Sequence, residues 1–243
     1  MRRRMIRWLQ KQLARHGIEV RRARHGLDAM RHLPGGVPRT VLDIGANSGQ
    51  FARRVRAALP AATLHSFEPL PGPFAQLQHW AADERNVFCH NIALGDVSGK
   101  IAIHTGDYTA SSSLLAPASR LVDSLPQVVP DRTQEISVMC LDDWARTTEL
   151  ATPLFIKMDV QGFEKGVIHG GLETMAGAAA ILTELSFVRL YEQQPLIGEM
   201  IALLGELDFL LVDVYDVVPD PVVGLGFQCD GLFLSRRVLD GAD

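Results

Sequence analysis

The sequence predicts a Rossmann-like, doubly wound α/β domain with a mostly parallel sheet and an antiparallel last strand. Three observations predict it. Short apolar runs alternate with helical patterns through most of the chain. The first run leads into a Gly-containing turn that opens a helix. The chain closes on two strand-like runs with no helix between them.

The chain has 243 residues, 47% of them hydrophobic and 21% charged, enough for one well-filled core. The formal net charge of −4 is uneven: residues 1–26 hold eight Arg and one Lys against Glu19, a local +8. The remainder is therefore acidic, which argues against broad nucleic-acid binding. Cys89, Cys140 and Cys229 form no CxxC pair. So sparse an odd count suits a reduced, cytoplasmic protein. No run of about 18 apolar residues is present, and no signal-peptide pattern opens the chain.

Residues 1–16 read as a helix, with Ile6, Leu9 and Leu13 at spacings of three and four. Its basic residues admit a peripheral contact with an anionic membrane surface; a helix that caps the domain is the simpler alternative. The breaker-rich residues 34–38 divide this extension, residues 1–36, from a main domain over 37–243. Strands follow at Thr40–Ile44, Thr63–Phe67 and 86–91, with helices at 50–59 and 74–82 between them. A long segment, residues 95–153, holds strand-like pieces at 100–104 and 135–140 around a Ser- and Pro-rich middle. Such a segment usually carries function. Beyond it come strand Leu154–Met158, a helix near 163–169, strand 178–185, helix 196–207, and strands 209–215 and 228–235.

The strongest local signal is Val41-Leu42-Asp43-Ile44-Gly45-Ala46-Asn47-Ser48-Gly49-Gln50-Phe51. Gly45 leaves room for a ligand against the main chain. The helix start beyond it offers free N–H groups and partial positive charge. That end suits the methionine carboxylate of S-adenosylmethionine, and Asp43 suits its ammonium. A dinucleotide loop needs G-x-G-x-x-G, and here Asn47 and Gln50 stand where its later glycines belong. Glu68, at the tip of the second strand in Phe67-Glu68-Pro69, can accept both ribose hydroxyls of a nucleoside cofactor. Alone it fits NAD equally well. In Asn91-Ile92-Ala93-Leu94-Gly95-Asp96 the third strand ends, with Asn91 and Ala93 beside the expected adenine position. Asn91 also suits a plain turn.

Asp159 follows the strand Leu154–Met158 and stands at the carboxyl edge, where open α/β sheets bind ligands. It could act as a base on an acceptor hydroxyl or orient it; capping the next helix is the alternative. Glu184 ends an otherwise apolar strand, so it needs a partner or a site. Paired acids can hold a divalent cation, but no His/Asp cluster at ligand spacing surrounds these two, and no metal is expected. Ser111-Ser112-Ser113 could touch a cofactor or a sugar-like acceptor, or form a solvated loop.

Taken in order, VLDIGANSGQF, FEP, NIALGD, SSSL, CLDDW, IKMDVQGFEKGVIHGG and TELSFVRLYEQQP resemble the FkbM-type methyltransferase family over roughly residues 37–235. The resemblance implies a class I methyltransferase fold of seven strands. It also implies S-adenosylmethionine (SAM) as cofactor and O-methylation of a small-molecule or glycan-like acceptor: a sugar, polyketide or related natural product. It carries Asp43, Gly45 and Asn47 to the cofactor loop and Glu68 to the ribose site. Asp159 and Glu184 fall near the reaction centre. Two other readings are an NAD-dependent oxidoreductase and a non-catalytic SAM-binding protein. The oligomeric state is not written in the sequence.

Overall fold

The structure, a computed structural model, describes residues 30–241; the helix expected over residues 1–16, and any membrane contact by it, lies outside them. In chain order the elements begin β1 (Thr40–Ile44), α1 (Gln50–Ala58), β2 (Thr63–Phe67), α2 (Pro71–Ala81), β3 (Val87–His90), β4 (Ala93–Gly95) and β5 (Gly99–Thr105). There follow α3 (Ser119–Ser124), β6 (Arg132–Cys140), α4 (Leu141–Ala145), β7 (Leu154–Met158), α5 (Glu164–His169) and α6 (Leu172–Ala176). The chain closes with β8 (Ala180–Ser186), α7 (Ile197–Glu206), β9 (Phe209–Pro219), β10 (Gly226–Ser235) and α8 (Arg236–Asp240).

Seven strands form one sheet in the order β3-β2-β1-β7-β8-β10-β9. The first five in that order run parallel, and β10 runs antiparallel to both β8 and β9. The antiparallel last strand expected from the sequence is β10. The sheet order reverses beside β1, so a crevice opens at the carboxyl ends of β1 and β7.

Residue alternation sorts the core into two layers. Leu42, Ile44, Ile156, Met158, Ile181 and Phe233 face Val167, Ile168, Met200 and Leu204 of the helices on one side. Val41, Leu64, Phe155, Ala180, Leu182 and Leu232 face Ala52, Val55 and Leu77 on the other. Each of these side chains larger than alanine stabilises the fold by roughly 1.5–3 kcal/mol. Strands β1, β7 and β8 are buried throughout because helices cover both faces. Met30 and Leu33 are buried in the second layer. The domain's packing thus begins by residue 30, ahead of the boundary expected at 37, and residues 34–38 form a turn rather than a linker.

The long middle segment builds its own small sheet, in the order β4-β6-β5. The two strand-like pieces expected there pair with each other antiparallel, from Gly99↔Val138 to Thr105↔Arg132. The Ser- and Pro-rich middle becomes their connection. It docks on the main domain through the cluster of Leu121, Leu190, Tyr191 and Phe227.

Candidate active site

A cavity of about 350 Å³ opens at the carboxyl edge, within the size range of small-molecule sites. Its wall includes Gly45, Asn47, Glu68, Ala93 and Asp159 from the residues singled out in the sequence. Asp43, Asn91 and Glu184 stand behind or beside that wall.

The first wall is the turn after β1. The Gly45 and Ala46 N–H groups donate to the Phe67 carbonyl at 3.1 and 2.9 Å, hanging the turn on the end of β2. Gly45 has φ +79°, and a Cβ there would lie 1.9 Å from the Asp159 carbonyl oxygen. Only glycine fits. Asn47 is also left-handed, at φ +46°, a conformation asparagine tolerates. Its Oδ1 accepts the Ser48 N–H at 2.7 Å, and its Nδ2 donates to Thr109 Oγ1 at 3.3 Å, joining the turn to the middle segment.

Glu68 is held from two sides. Oε2 accepts the Asn47 N–H at 2.8 Å and Oε1 accepts the Leu70 N–H at 2.9 Å. Burial pushes its carboxyl up to about 7, against the pull of those two N–H groups. Asn91 lies outside the wall. Its Nδ2 donates to the Glu68 and Pro69 carbonyls at 2.9 and 3.0 Å, so it braces the Glu68 turn, and Ile92, Ala93 and Leu94 form the surface the adenine edge was expected to meet.

Asp43 is fully buried and does not reach the wall. The side chain beside it is Lys157, whose Nζ lies 3.3 Å from Asp43 Oδ1 and 3.5 Å from Asp159 Oδ2, and donates to the Gly45 carbonyl at 3.1 Å. Burial raises the Asp43 carboxyl, opposed by Lys157. Burial also works against the Lys157 ammonium, but Asp159 and Asp43 outweigh it and hold the ammonium above its ordinary range. Asp43 therefore positions a cation instead of offering a bare carboxylate to the ligand. Replacing Lys157 by Met is expected to cost about 3–5 kcal/mol, because Asp43 is left buried and unpaired. In urea unfolding, the double variant Lys157→Met/Asp43→Asn should recover much of that loss. Additive losses would show that the two charges are not coupled.

Of Asp159 and Glu184, Asp159 lines the cavity. Gln161, left-handed at φ +53°, turns its Nε2 back to Asp159 Oδ1 at 2.8 Å and toward Glu184 Oε2 at 3.4 Å. Glu184 Oε2 also accepts from Gln228 Nε2 at 2.7 Å. Burial, then the charges of Asp159, Glu164 and Asp230, push Glu184 well above the usual carboxylate range. Glu184 thus stands behind the cavity wall, with its carboxyl pushed toward the neutral form. Asp159 makes no cap bond to the next helix, whose N-cap is Phe163 without a side-chain cap; Glu164 Oε1 instead ties the preceding turn, accepting the Val160 and Gly162 N–H groups at 3.1 and 3.3 Å. Of the serines, Ser112 and Ser113 reach the wall, and Ser113 Oγ donates to the Gln161 carbonyl at 2.6 Å. Among the described residues, no group of three or more His, Cys, Asp or Glu is placed to hold a metal ion.

Three residues of this constellation were not assigned from the sequence. Lys157 carries a signal, a cation within a buried apolar strand, and the reasoning applied to Glu184 applies to it equally. Asp230 enters the wall only because β10 pairs antiparallel with β8, opposite Glu184. Gln161 acts through a left-handed backbone that its residue type does not announce.

With this geometry in hand, comparison with known proteins is informative. The family model described as the methyltransferase FkbM domain matches residues 43–211, more than half of the chain. The 2-O-methyltransferase NoeI of Sinorhizobium fredii (strain NBRC 101917 / NGR234) is 35% identical over 161 residues, covering 63% of this chain and 66% of NoeI. The 31-O-demethyl-FK506 methyltransferase FkbM of Streptomyces tacrolimicus is 30% identical over 177 residues, covering 64% of this chain and 62% of FkbM. The chain thus spans just under two thirds of each relative's length. Among solved structures, magnesium protoporphyrin IX methyltransferase from Synechocystis PCC 6803 with bound SAM aligns at a TM-score of 0.46 and 13% identity, covering 86% of this chain and 74% of that one. The match over residues 43–211 takes in the lining residues of the cavity apart from Asp230, and the chain belongs to the FkbM methyltransferase family.

Proposed function

We propose that this protein transfers a methyl group from SAM to a hydroxyl of a sugar, polyketide or related small molecule. The observation that carries this reading is the convergence of the Gly45 turn, Glu68, Ala93 and Asp159 on one cavity. The residues present fit the cofactor. Apolar side chains, among them Phe67, Leu70, Ile92 and Leu94, line the part that would take adenine, and Glu68 stands where ribose hydroxyls would donate. Asp230 provides negative charge for a sulfonium, and Arg54 and Lys157 suit a carboxylate. A dinucleotide fits less well, because Asn47 occupies the space a second glycine would free.

Bound SAM supplies a methyl group activated by the positive charge on sulfur. The chain's part is positioning and charge placement. Asp159 orients the acceptor hydroxyl and takes up its proton, while Gln161 holds Oδ1 and Lys157 faces Oδ2. The hydroxyls of Thr109, Ser112 and Ser113 border the same space and suit a polyol acceptor. The chain's location is read as cytoplasmic from its cysteine usage; no helix among the described residues is long and apolar enough to cross a membrane.

Glu68 gives a pH test. Its carboxylate form accepts the ribose hydroxyls, and the free group titrates at about 7. Protonation below that value removes the acceptor. SAM association should therefore weaken by about tenfold from pH 8 to pH 6, and Glu68→Gln should bind weakly with a much shallower pH profile, the remainder of which belongs to Asp230, pushed up to about 6. Equal affinity at both pH values in the native protein would detach Glu68 from the cofactor. A screen of hydroxylated sugars and polyketides for a gain of one methyl in mass tests the transfer itself.

A further inference from the structure

Residues 187–194 follow β8 and contribute nothing to the cavity wall, yet one of their side chains reaches the turn that does. It is Tyr191, buried in the cluster of Leu121, Leu190 and Phe227. Its backbone is fixed on two sides. The Ala118 N–H donates to the Leu190 carbonyl and the Glu192 N–H to the Ala116 carbonyl, both at 2.8 Å, which bridges this segment to the middle segment. Gln194 Oε1 accepts the Leu190 and Tyr191 N–H groups at 2.8 and 3.2 Å, and Gln194 Nε2 donates to Ser186 Oγ at 2.7 Å. The Tyr191 ring lies against Gly162, where a Cβ would come within 3.2 Å of it.

The phenol oxygen lies 2.8 Å from the Ser111 carbonyl and 3.1 Å from Gln161 Oε1. Burial pushes the phenol above its ordinary range, so it keeps its proton and donates. One proton serves both acceptors, which ties the Ser-rich connection to the turn after β7. The bond to Gln161 also sets a direction. An amide has a donor end and an acceptor end, and the hydrogen-bond network decides which way round it sits. Here Nε2 meets Asp159 Oδ1 and Glu184 Oε2, and Oε1 meets the phenol. Turned over, Oε1 would face the Asp159 carboxylate, acceptor against acceptor.

We infer that Tyr191 is a positioning residue of the site: its phenol fixes which end of the Gln161 amide meets Asp159, and so holds the Asp159 carboxylate toward the acceptor hydroxyl. The Asp159 side chain is 41% exposed, so packing does not hold it. Its direction depends on the groups beside its oxygens, Gln161 at Oδ1 and Lys157 near Oδ2. The left-handed backbone of Gln161 and the bond from Ser113 Oγ to its carbonyl bring the amide to that place, and Tyr191 sets its sense. Such a hold matters to turnover, because a misplacement of about 1 Å can cost about 10²-fold. The inference rests on the reading of Asp159 as the group that meets the acceptor.

The first measurement is the exchange with water of the Gln161 side-chain amide protons, followed by nitrogen–proton NMR of the full chain, with Gln161→Glu identifying the signal by its loss. Tyr191→Phe keeps the ring and its packing and removes the hydroxyl. In that variant the Gln161 amide should exchange at least about tenfold faster than in the native chain, while the backbone amides of β7 and β8 keep their native rates. In methyl transfer its kcat should fall by about ten- to a hundredfold, with the KM for SAM within about twofold of the native value. In a Gln161→Gly background the same change should alter kcat by less than about twofold, since the group it acts through is gone. Native exchange of the Gln161 amide in Tyr191→Phe overturns the inference. So does faster exchange with an unchanged kcat, or an equal loss of kcat with and without the Gln161 side chain. Failure of the reading it rests on looks different: Asp159→Asn would keep native turnover, or the native chain would methylate no acceptor. The exchange rates then decide by themselves whether Tyr191 holds the amide on Asp159.

Discussion

Gly45→Ala is expected to destabilise the domain by at least about 3 kcal/mol and to weaken SAM association by more than about a hundredfold. Two costs combine. The backbone angle of φ +79° is strained for any residue with a side chain. The added Cβ would also lie 1.9 Å from the Asp159 carbonyl oxygen, a backbone atom that cannot rotate away. The turns after β1 and β7 must then part, and they are opposite walls of one cavity. Gly72→Ala is the control, because a Cβ there meets nothing within 4 Å. Thermal melting and calorimetry of the two variants decide it. A Gly45→Ala protein that melts and binds like the Gly72→Ala protein would show that the turns are not packed as described.

Asp159→Asn is expected to lower methyl transfer by about 10²–10⁴-fold, the usual contribution of a positioned base. SAM association should stay within about threefold of the native value. The variant keeps the hydrogen-bonding shape next to Gln161 and removes the charge. Glu184→Gln is the informative contrast. Burial and the carboxylates around it push Glu184 toward the neutral form, and it sits behind the wall. The amide should therefore mimic it closely, and turnover should fall far less. If Glu184→Gln proved the more damaging change, the proton-accepting role would move from Asp159 to Glu184.

Much of the fold was legible because the signals were local. Thr40–Ile44, Thr63–Phe67 and Leu154–Met158 are short apolar runs between breakers, and the structure has strands with those same bounds. The antiparallel end followed from two strands with no helix between them. The small sheet β4-β6-β5 was not legible. Its strands pair across long stretches of chain, as Ile101 does with Ile136, and periodicity carries no information about partners at that distance.

The site divides in the same way. Gly45, Asn47, Glu68 and Asp159 occupy strand tips at the carboxyl edge, and a strand's position in the chain is enough to place its tip. Asp43 on β1 and Glu184 on β8 lie inside the sheet. Whether such a residue reaches the ligand depends on what stands in front of it, and here Lys157 and Gln161 do. Asn91 has both a donor and an acceptor to offer, and the curl of the Glu68–Pro69 turn brings two carbonyls within reach of its amide nitrogen. These are facts of three-dimensional packing that residue type leaves open.

A calorimetric titration of the purified protein with SAM, with NAD titrated in parallel and Glu68→Ala as the control, tests the central claim most directly. Micromolar SAM binding that Glu68→Ala weakens by roughly tenfold or more, together with little or no heat from NAD, is the expected result. No SAM binding, or a clear preference for NAD, would contradict it and return the cavity to the dinucleotide reading.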